Sequence, residues 1–161
     1  MERRKIIILI SLSLVYYWYN YQDDSNLLSL EEIYSNNASL ETVEYEHRIP
    51  KVVYIVWFGR QISINRLRAL NSLVKNIKVP YILITEDNYK SFEKEEHPLH
   101  PGFQYLSGVH KSDYLRSYLL HFYGGSYHDI KYRDIGWENE WKSFKREKIW
   151  MKSCMEQKKH H

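Results

Sequence analysis

The stretch Ser112-Asp113-Tyr114-Leu115-Arg116-Ser117-Tyr118-Leu119-Leu120-His121-Phe122-Tyr123-Gly124-Gly125-Ser126-Tyr127-His128-Asp129-Ile130-Lys131 reads as a helix, a two-glycine stop and one buried strand. Ser112 is a good N-cap, which puts Asp113 in the first turn, where a carboxylate suits the helix dipole. Leu115, Tyr118, Leu119 and Phe122 form an apolar stripe at helical spacing. Gly124 can take the left-handed conformation that ends a helix, and Gly125 lets the chain reverse tightly. Asp113 and Arg116, three apart, share a helix face. Asp129 and Lys131, two apart, share a face of the strand end. Two charged pairs thus converge near one edge of a sheet, where folds of this class keep their ligands.

Upstream, Ile49-Pro50 opens the folded part. Val52 to Phe58 is a continuous apolar run, as expected of a strand buried on both faces, and Gly59 ends it. From Ser63, the residues Ile64, Leu67, Leu70, Val74 and Ile77 recur at helical spacing. Val79 to Ile84 reads as a second buried strand, 86–96 as a short surface helix, and His97 to Gly108 as a loop with two prolines and two glycines. The order β-α-β-(α)-loop-α-β predicts an α/β fold with a mostly parallel sheet and crossover helices.

With the order established, the chain resembles glycosyltransferases of the DXD type with a GT-A fold. Relatives include the Golgi mannosyltransferase-like, capsular polysaccharide synthesis and clostridial toxin glucosyltransferase families. Two motifs carry the resemblance. One is Ile49-Pro50-Lys51 followed by Ile55-Val56-Trp57-Phe58-Gly59, with Tyr54 where the family has a strand histidine. The other is Ser112-Asp113-x-x-Arg116, then Gly124-Gly125-x-Tyr127-x-Asp129, with Lys131 where the family has its second aspartate. The resemblance covers residues 49–131 and implies a GT-A-like donor-binding domain, partial over 49–136. Nothing after 136 resembles the family's second half, so a truncated or minimal relative is expected.

The resemblance implies a transferase moving a sugar from a nucleoside diphosphate sugar to a glycan or lipid-linked acceptor. It makes Trp57, Asp113, Arg116, Tyr127, Asp129 and Lys131 the donor-binding set, and Gly124 and Gly125 structural glycines. Trp57 has a flat apolar face suited to stacking a nucleobase. The family's carboxylates manage Mn²⁺ or Mg²⁺, for which Asp129 is the candidate ligand here. Lys131 opens three readings: a lysine that neutralises the diphosphate and makes the protein metal-independent, a displaced metal held through His128 or Asp134, or a damaged site. The alternative function is a non-catalytic or truncated binding or scaffold protein. His97 and His100 have metal-pair spacing, but Pro98 and Pro101 break the helix such a pair needs, so they read as loop histidines.

The remaining segments bound this reading. The chain has 161 residues, enough for one domain, with 43% hydrophobic and 16% aromatic residues. Its single cysteine, Cys154, excludes an internal disulfide. Glu2-Arg3-Arg4-Lys5 precedes an uncharged run from Ile6 to Tyr19 with an aromatic end. Residues 1–21 therefore read as a cytoplasmic tip and signal-anchor helix, crossing the membrane through 6–21 with a cytoplasmic N-terminus. The resemblance adds a Golgi or ER lumen-facing domain. Residues 22–47 hold seven acidic and no basic residues, so 22–48 reads as an acidic stem, with a short helix near Leu30 and Ile33 and a glycosylation sequon at Asn37. Residues 137–161 read as a basic C-terminal helix or tail, with Trp137, Trp141 and Phe144 on one face packing on the sheet. No aromatic-basic stacking motif is present, so no nucleic acid is expected. There is also no P-loop, no Ser-His-Asp pattern and no zinc-knuckle spacing.

Overall fold

The computed structural model describes residues 24–46, 48–59, 61–134, 136–138 and 141. Ser63 starts helix α2: its side chain accepts a hydrogen bond from Arg66 N, and the helix is Ile64–Asn76. Helix α1, Leu30–Ser35, has a capping box between Ser29 and Glu32. Hydrogen bonding from the Ser29 backbone N–H, and then from its side chain, holds the Glu32 carboxyl below its usual pKa. Strands β1 (Tyr45–Glu46) and β2 (Ile49–Pro50) form a small antiparallel pair. Strands β3 (Val53–Val56), β4 (Tyr81–Ile84) and β5 (Ser126–Tyr127) form a parallel sheet in the order β4-β3-β5. Helix α3, Gly108–Phe122, crosses from β4 to β5.

Period-2 alternation sorts the strand residues to two faces. Val53 and Ile55 pack with Ala69, Leu70 and Leu73 of α2, while Val52, Tyr54 and Val56 pack with Leu115 and Leu119 of α3. Both helices thus cover a strand that is buried on both sides, as its apolar run predicts. Leu70 and Leu73 are fully buried, and truncating either to alanine costs about 2–5 kcal/mol. The chain is α/β with a small parallel sheet, a Rossmann-like half. From central β3 it passes by α2 to β4 on one side, then by α3 to β5 on the other. The β3–β5 boundary is therefore a topological switch point, and its carboxyl end is where such sheets form a crevice.

Several expectations shift. Helix α3 does not start at Ser112; its N-cap is Ser107, whose side chain accepts from His110 N, and no acidic residue lies in its first turn. Ser112 sits inside the helix and donates back to Gly108 O at 2.9 Å. Gly108 reads as a breaker in sequence, yet it starts the helix because a Cβ there would lie 2.5 Å from Phe58 O. Strand β5 is two residues long and half-buried rather than a full buried strand. Strands β3 and β4 are shorter than their apolar runs. The 86–96 segment contains a 3-10 turn, Tyr89–Phe92, and the expected loop contains another, Pro101–Tyr105.

Residues 24–46, within the expected acidic stem of 22–48, pack against the rest of the fold. Ile33 is fully buried and Val43 nearly so. Arg68 pairs with Asp24 at 2.7 Å. Glu31, Glu32, Glu41 and Glu44 are exposed and mask this packing in composition. The sequon residue Asn37 is engaged with the edge of β4: its Oδ1 accepts from Leu83 N at 2.7 Å, and its Nδ2 donates to Leu83 O at 2.9 Å. Trp141 is buried in the α2-side cluster, and Trp137 packs against it, in line with a packed C-terminal element. The expected membrane span, Phe144, Cys154 and the basic tail lie outside the described residues. Among the described residues no helix is long and apolar enough to cross a membrane.

Candidate functional site

The candidate site is built where α3, β3 and β5 meet. Gly108 seats the first turn of α3 against the backbone that leaves β3. Phe58, Phe103 and Tyr114 support that seat through edge-to-face ring contacts, Phe58–Phe103 at 6.0 Å and Phe103–Tyr114 at 5.4 Å. Lys111 lies over the Phe58 ring at 5.4 Å. On the next turn Asp113 and Arg116 form an ion pair, Arg116 Nη2 to Asp113 Oδ1 at 2.8 Å. The spacing predicts this pair, but the carboxylate stands in the second turn and its partner is Arg116 rather than the helix dipole.

The glycine turn brings β5 under that pair. Gly124 has φ +72° and Gly125 φ +89°, both in the left-handed region glycine favours. A Cβ on Gly125 would meet the Tyr54 ring and Val52 Cγ1, each at 3.1 Å. Tyr127 follows, and the Arg116 guanidinium lies over its ring at 5.3 Å. The Tyr127 hydroxyl donates to Asp129 Oδ1 at 3.0 Å. The other carboxylate oxygen, Oδ2, faces the Lys131 ammonium at 3.7 Å. Asp113, Arg116, Tyr127, Asp129 and Lys131 thus form one continuous chain. Exposed ion pairs contribute about 0–1 kcal/mol each, so these links do more to fix positions than to hold the fold. Burial, and then the nearby Asp129 charge, pushes the Tyr127 hydroxyl pKa well up, which keeps it a hydrogen-bond donor.

The segment after β5 is tied to α2 from behind. Arg66 Nη1 donates to Ile130 O at 2.6 Å. Ser72 Oγ and Asn76 Nδ2 both donate to Arg133 O, at 3.0 and 2.6 Å. His128 bridges the two sides: its Nδ1 bonds the Asp129 carbonyl, and its Nε2 meets Arg133 Nη1 at 3.2 Å. The arginine can only donate, so this network assigns the proton to Nδ1. Burial lowers the His128 pKa, an effect the Asp129 carbonyl partly opposes and Arg133 reinforces.

Trp57 is not brought to the chain. Alternation along β3 turns its ring toward the α2-side cluster, opposite the face that carries Tyr54 and Tyr127. Its indole nitrogen is buried without a hydrogen-bond partner. His97 stacks on Phe122 at 4.8 Å, and His100 Nδ1 accepts from Gly102 N at 3.0 Å. Both have local structural roles. Arg66, Lys111 and Arg133 were not expected at this corner. The contacts of Arg66 and Arg133 depend on the tertiary path of residues 128–133, and that of Lys111 on the Phe58 ring brought beside the start of α3.

A hard divalent cation wants several oxygen ligands. Asp129 offers one oxygen already bonded to a hydroxyl and one facing an ammonium. Among the described residues no group of three His, Cys, Asp or Glu is placed to hold a metal ion. The donor set at this corner does not fit such a cation. Comparison with known protein families, curated proteins and solved structures gives no match.

Proposed function

We propose that this chain binds a nucleoside diphosphate sugar at the β3–β5 switch point, as the donor-binding half of a GT-A-like glycosyltransferase. The observation that carries the reading is the continuous chain from Asp113 to Lys131 at that switch point. Transfer would break the bond from the sugar's anomeric carbon to the diphosphate and form one to an acceptor hydroxyl oxygen. The site must then hold a leaving diphosphate, and Arg116 and Lys131 are cations suited to it. Asp113 suits ribose or base hydroxyls as an acceptor. The acceptor in this reading is a glycan or a lipid-linked sugar, and residues 6–21 would anchor the domain to a membrane on its lumenal side.

The test is calorimetry with UDP- and GDP-sugars on the full chain. The expected result is binding that Asp113→Ala weakens about tenfold, roughly 1.4 kcal/mol. Absence of binding to every donor sinks the proposal. A second reading, a binding or scaffold protein without transfer activity, is favoured by one observation: Asp113 and Asp129 are each already paired with a cation, which blunts either as a general base. Donor binding without sugar transfer or donor hydrolysis would select it.

A further inference from the structure

We infer that the outer face of α2 lies against a lipid bilayer, with Leu28, Ile64 and Tyr132 dipping into its interface. The inference takes from the reading above only that residues 6–21 anchor the chain, and it adds which side of the domain meets the membrane.

The place where the chain meets α2 is the first argument. Arg68 Nε and Nη2 donate to the two carboxylate oxygens of Asp24 at 2.8 and 2.7 Å. One turn further along, Leu28 N donates to Asn71 Oδ1 at 2.8 Å, and Leu28 O accepts from Asn71 Nδ2 at 2.9 Å. The segment 24–28 is thus fastened across the outside of α2. Three peptide steps separate Tyr21 from Asp24, and they span at most about 11 Å. A bilayer holding residues 6–21 therefore stands no further from Asp24 than about the diameter of one helix.

The chemistry of that face is the second. Ile64, Arg68, Asn71 and Lys75 recur at i, i+4, i+7 and i+11 and form one stripe, opposite the buried Ala69, Leu70 and Leu73. Ile64 at the head of the stripe is 48% exposed, and Leu28 is 39% exposed. On one flank, the bonds from Ser72 and Asn76 to Arg133 O bring Tyr132 alongside the helix, 61% exposed. Hydrogen bonding to Asp24 is the main cause of a raised Arg68 pKa, and the Tyr132 hydroxyl adds to it from close by. Helix α2 carries no acidic residue, and the Asp24 carboxylate is neutralised by its arginine. Tyrosine suits the water–lipid boundary, and Lys75 can lay its stem there while its ammonium reaches lipid phosphates. The opposite side of the sheet is covered by α3. In this pose α3 and its Asp113–Arg116 pair stand on the side away from the lipid.

The experiment reconstitutes the full chain in phosphatidylcholine vesicles, in a Cys154→Ser background. A fluorophore is placed in turn on Ile64→Cys, Tyr132→Cys and Val109→Cys, with thermal melts to show each variant folded. Flotation of the vesicles reports anchoring, nitroxide carried at the lipid headgroups reports contact with lipid, and iodide on both sides of the membrane reports contact with water. Labels at positions 64 and 132 should lose at least about half their emission to the nitroxide, because an apolar face on a membrane sits about 5–10 Å into the headgroup boundary. The label at position 109 should lose little, although Val109 is 72% exposed, because it starts α3 on the other side of the sheet. Anchored chain in which position 109 is quenched as strongly as 64 and 132, or in which none is quenched, overturns the inference and leaves the anchor standing. Labels at 64 and 132 shielded from both nitroxide and iodide show protein on this face, a second copy included, and also overturn it. Failure to float with the vesicles overturns the anchor and the inference with it. Donor binding is judged separately, by the calorimetry with nucleotide sugars.

Discussion

The Tyr127 hydroxyl donates to Asp129 Oδ1 across 3.0 Å, while the Tyr127 ring carries the Arg116 guanidinium at 5.3 Å. One side chain thus positions both halves of the charged chain. Tyr127→Phe keeps the ring under Arg116 and frees Asp129. The loosened carboxylate can draw Lys131 closer and hold it away from the crevice. UDP affinity is expected to fall about three- to tenfold and the melting temperature by no more than about 3 °C, since a net hydrogen bond is worth about 1 kcal/mol. Unchanged affinity would show that the hydroxyl does not position Asp129 for ligand.

Tyr54 gives a prediction of opposite sign. It is fully buried between β3 and α3, and its hydroxyl has no hydrogen-bond partner. Burial pushes its pKa well up. An unsatisfied buried hydroxyl costs about 1–3 kcal/mol. Tyr54→Phe removes the hydroxyl and keeps the ring that packs under Gly125. The expected outcome is a gain of about 1 kcal/mol, a melting-temperature rise of about 3 °C, and unchanged ligand affinity. A drop in stability would mean that the hydroxyl has a partner in solution.

His128 sets a pH dependence. Its folded pKa lies below the ordinary value, with burial as the main cause. As pH falls, the unfolded chain protonates this ring first, near pH ~6.5. The unfolded state then binds more protons, so stability falls with pH from that point down to the folded value, and is full above it. Urea midpoints at pH 7.5 and 5.5 measure the effect. The native chain should lose more between them than His128→Asn, because asparagine keeps polar contacts without titrating. Equal losses would exclude His128 as a source.

Much of the fold is legible locally. Ser63 and the stripe over 64–77 mark α2, and the Gly124-Gly125 pair marks the turn that both positive φ values confirm. The start of α3 is not legible, because Gly108 looks like a breaker until Phe58 O is seen beside it. The packing of residues 24–46 is hidden by acidic outer positions around Ile33 and Val43. In the site, sequence spacing gives the Asp113–Arg116 and Asp129–Lys131 pairs. It does not give their union through Tyr127, which depends on α3 crossing over β5. The face of Trp57 was legible in principle, since it alternates with Val53 and Ile55 and not with Tyr54.

Asn37 makes a paired prediction about the edge of β4. Its amide mimics a strand, accepting from Leu83 N and donating to Leu83 O. An N-linked sugar would sit on Nδ2 trans to Cβ, as substituents do in secondary amides. That is the position of the hydrogen now given to Leu83. Natively folded protein from a glycosylating host should therefore carry unmodified Asn37, as peptide mass spectrometry would show. Asn37→Ala should cost about 1–2 kcal/mol through two lost bonds. Full glycan occupancy with native stability would contradict the pairing.

Gly108 connects the fold to the site most directly. A methyl group there would lie 2.5 Å from Phe58 O, a backbone atom that cannot swing aside. Gly108→Ala must push the first turn of α3 off the end of β3, which costs about 1–3 kcal/mol as overpacking does. Because Asp113 and Arg116 ride on the next turn, the same shift pulls them from Tyr127 and weakens UDP binding. Gly102→Ala is the control. Its new Cβ would meet only the His100 ring, at 3.0 Å, and that side chain is exposed and able to move. Gly108→Ala should lower both melting temperature and affinity, and Gly102→Ala should leave affinity intact. If Gly108→Ala destabilises the chain but binds UDP normally, the seat of α3 on β3 supports the fold without positioning the site.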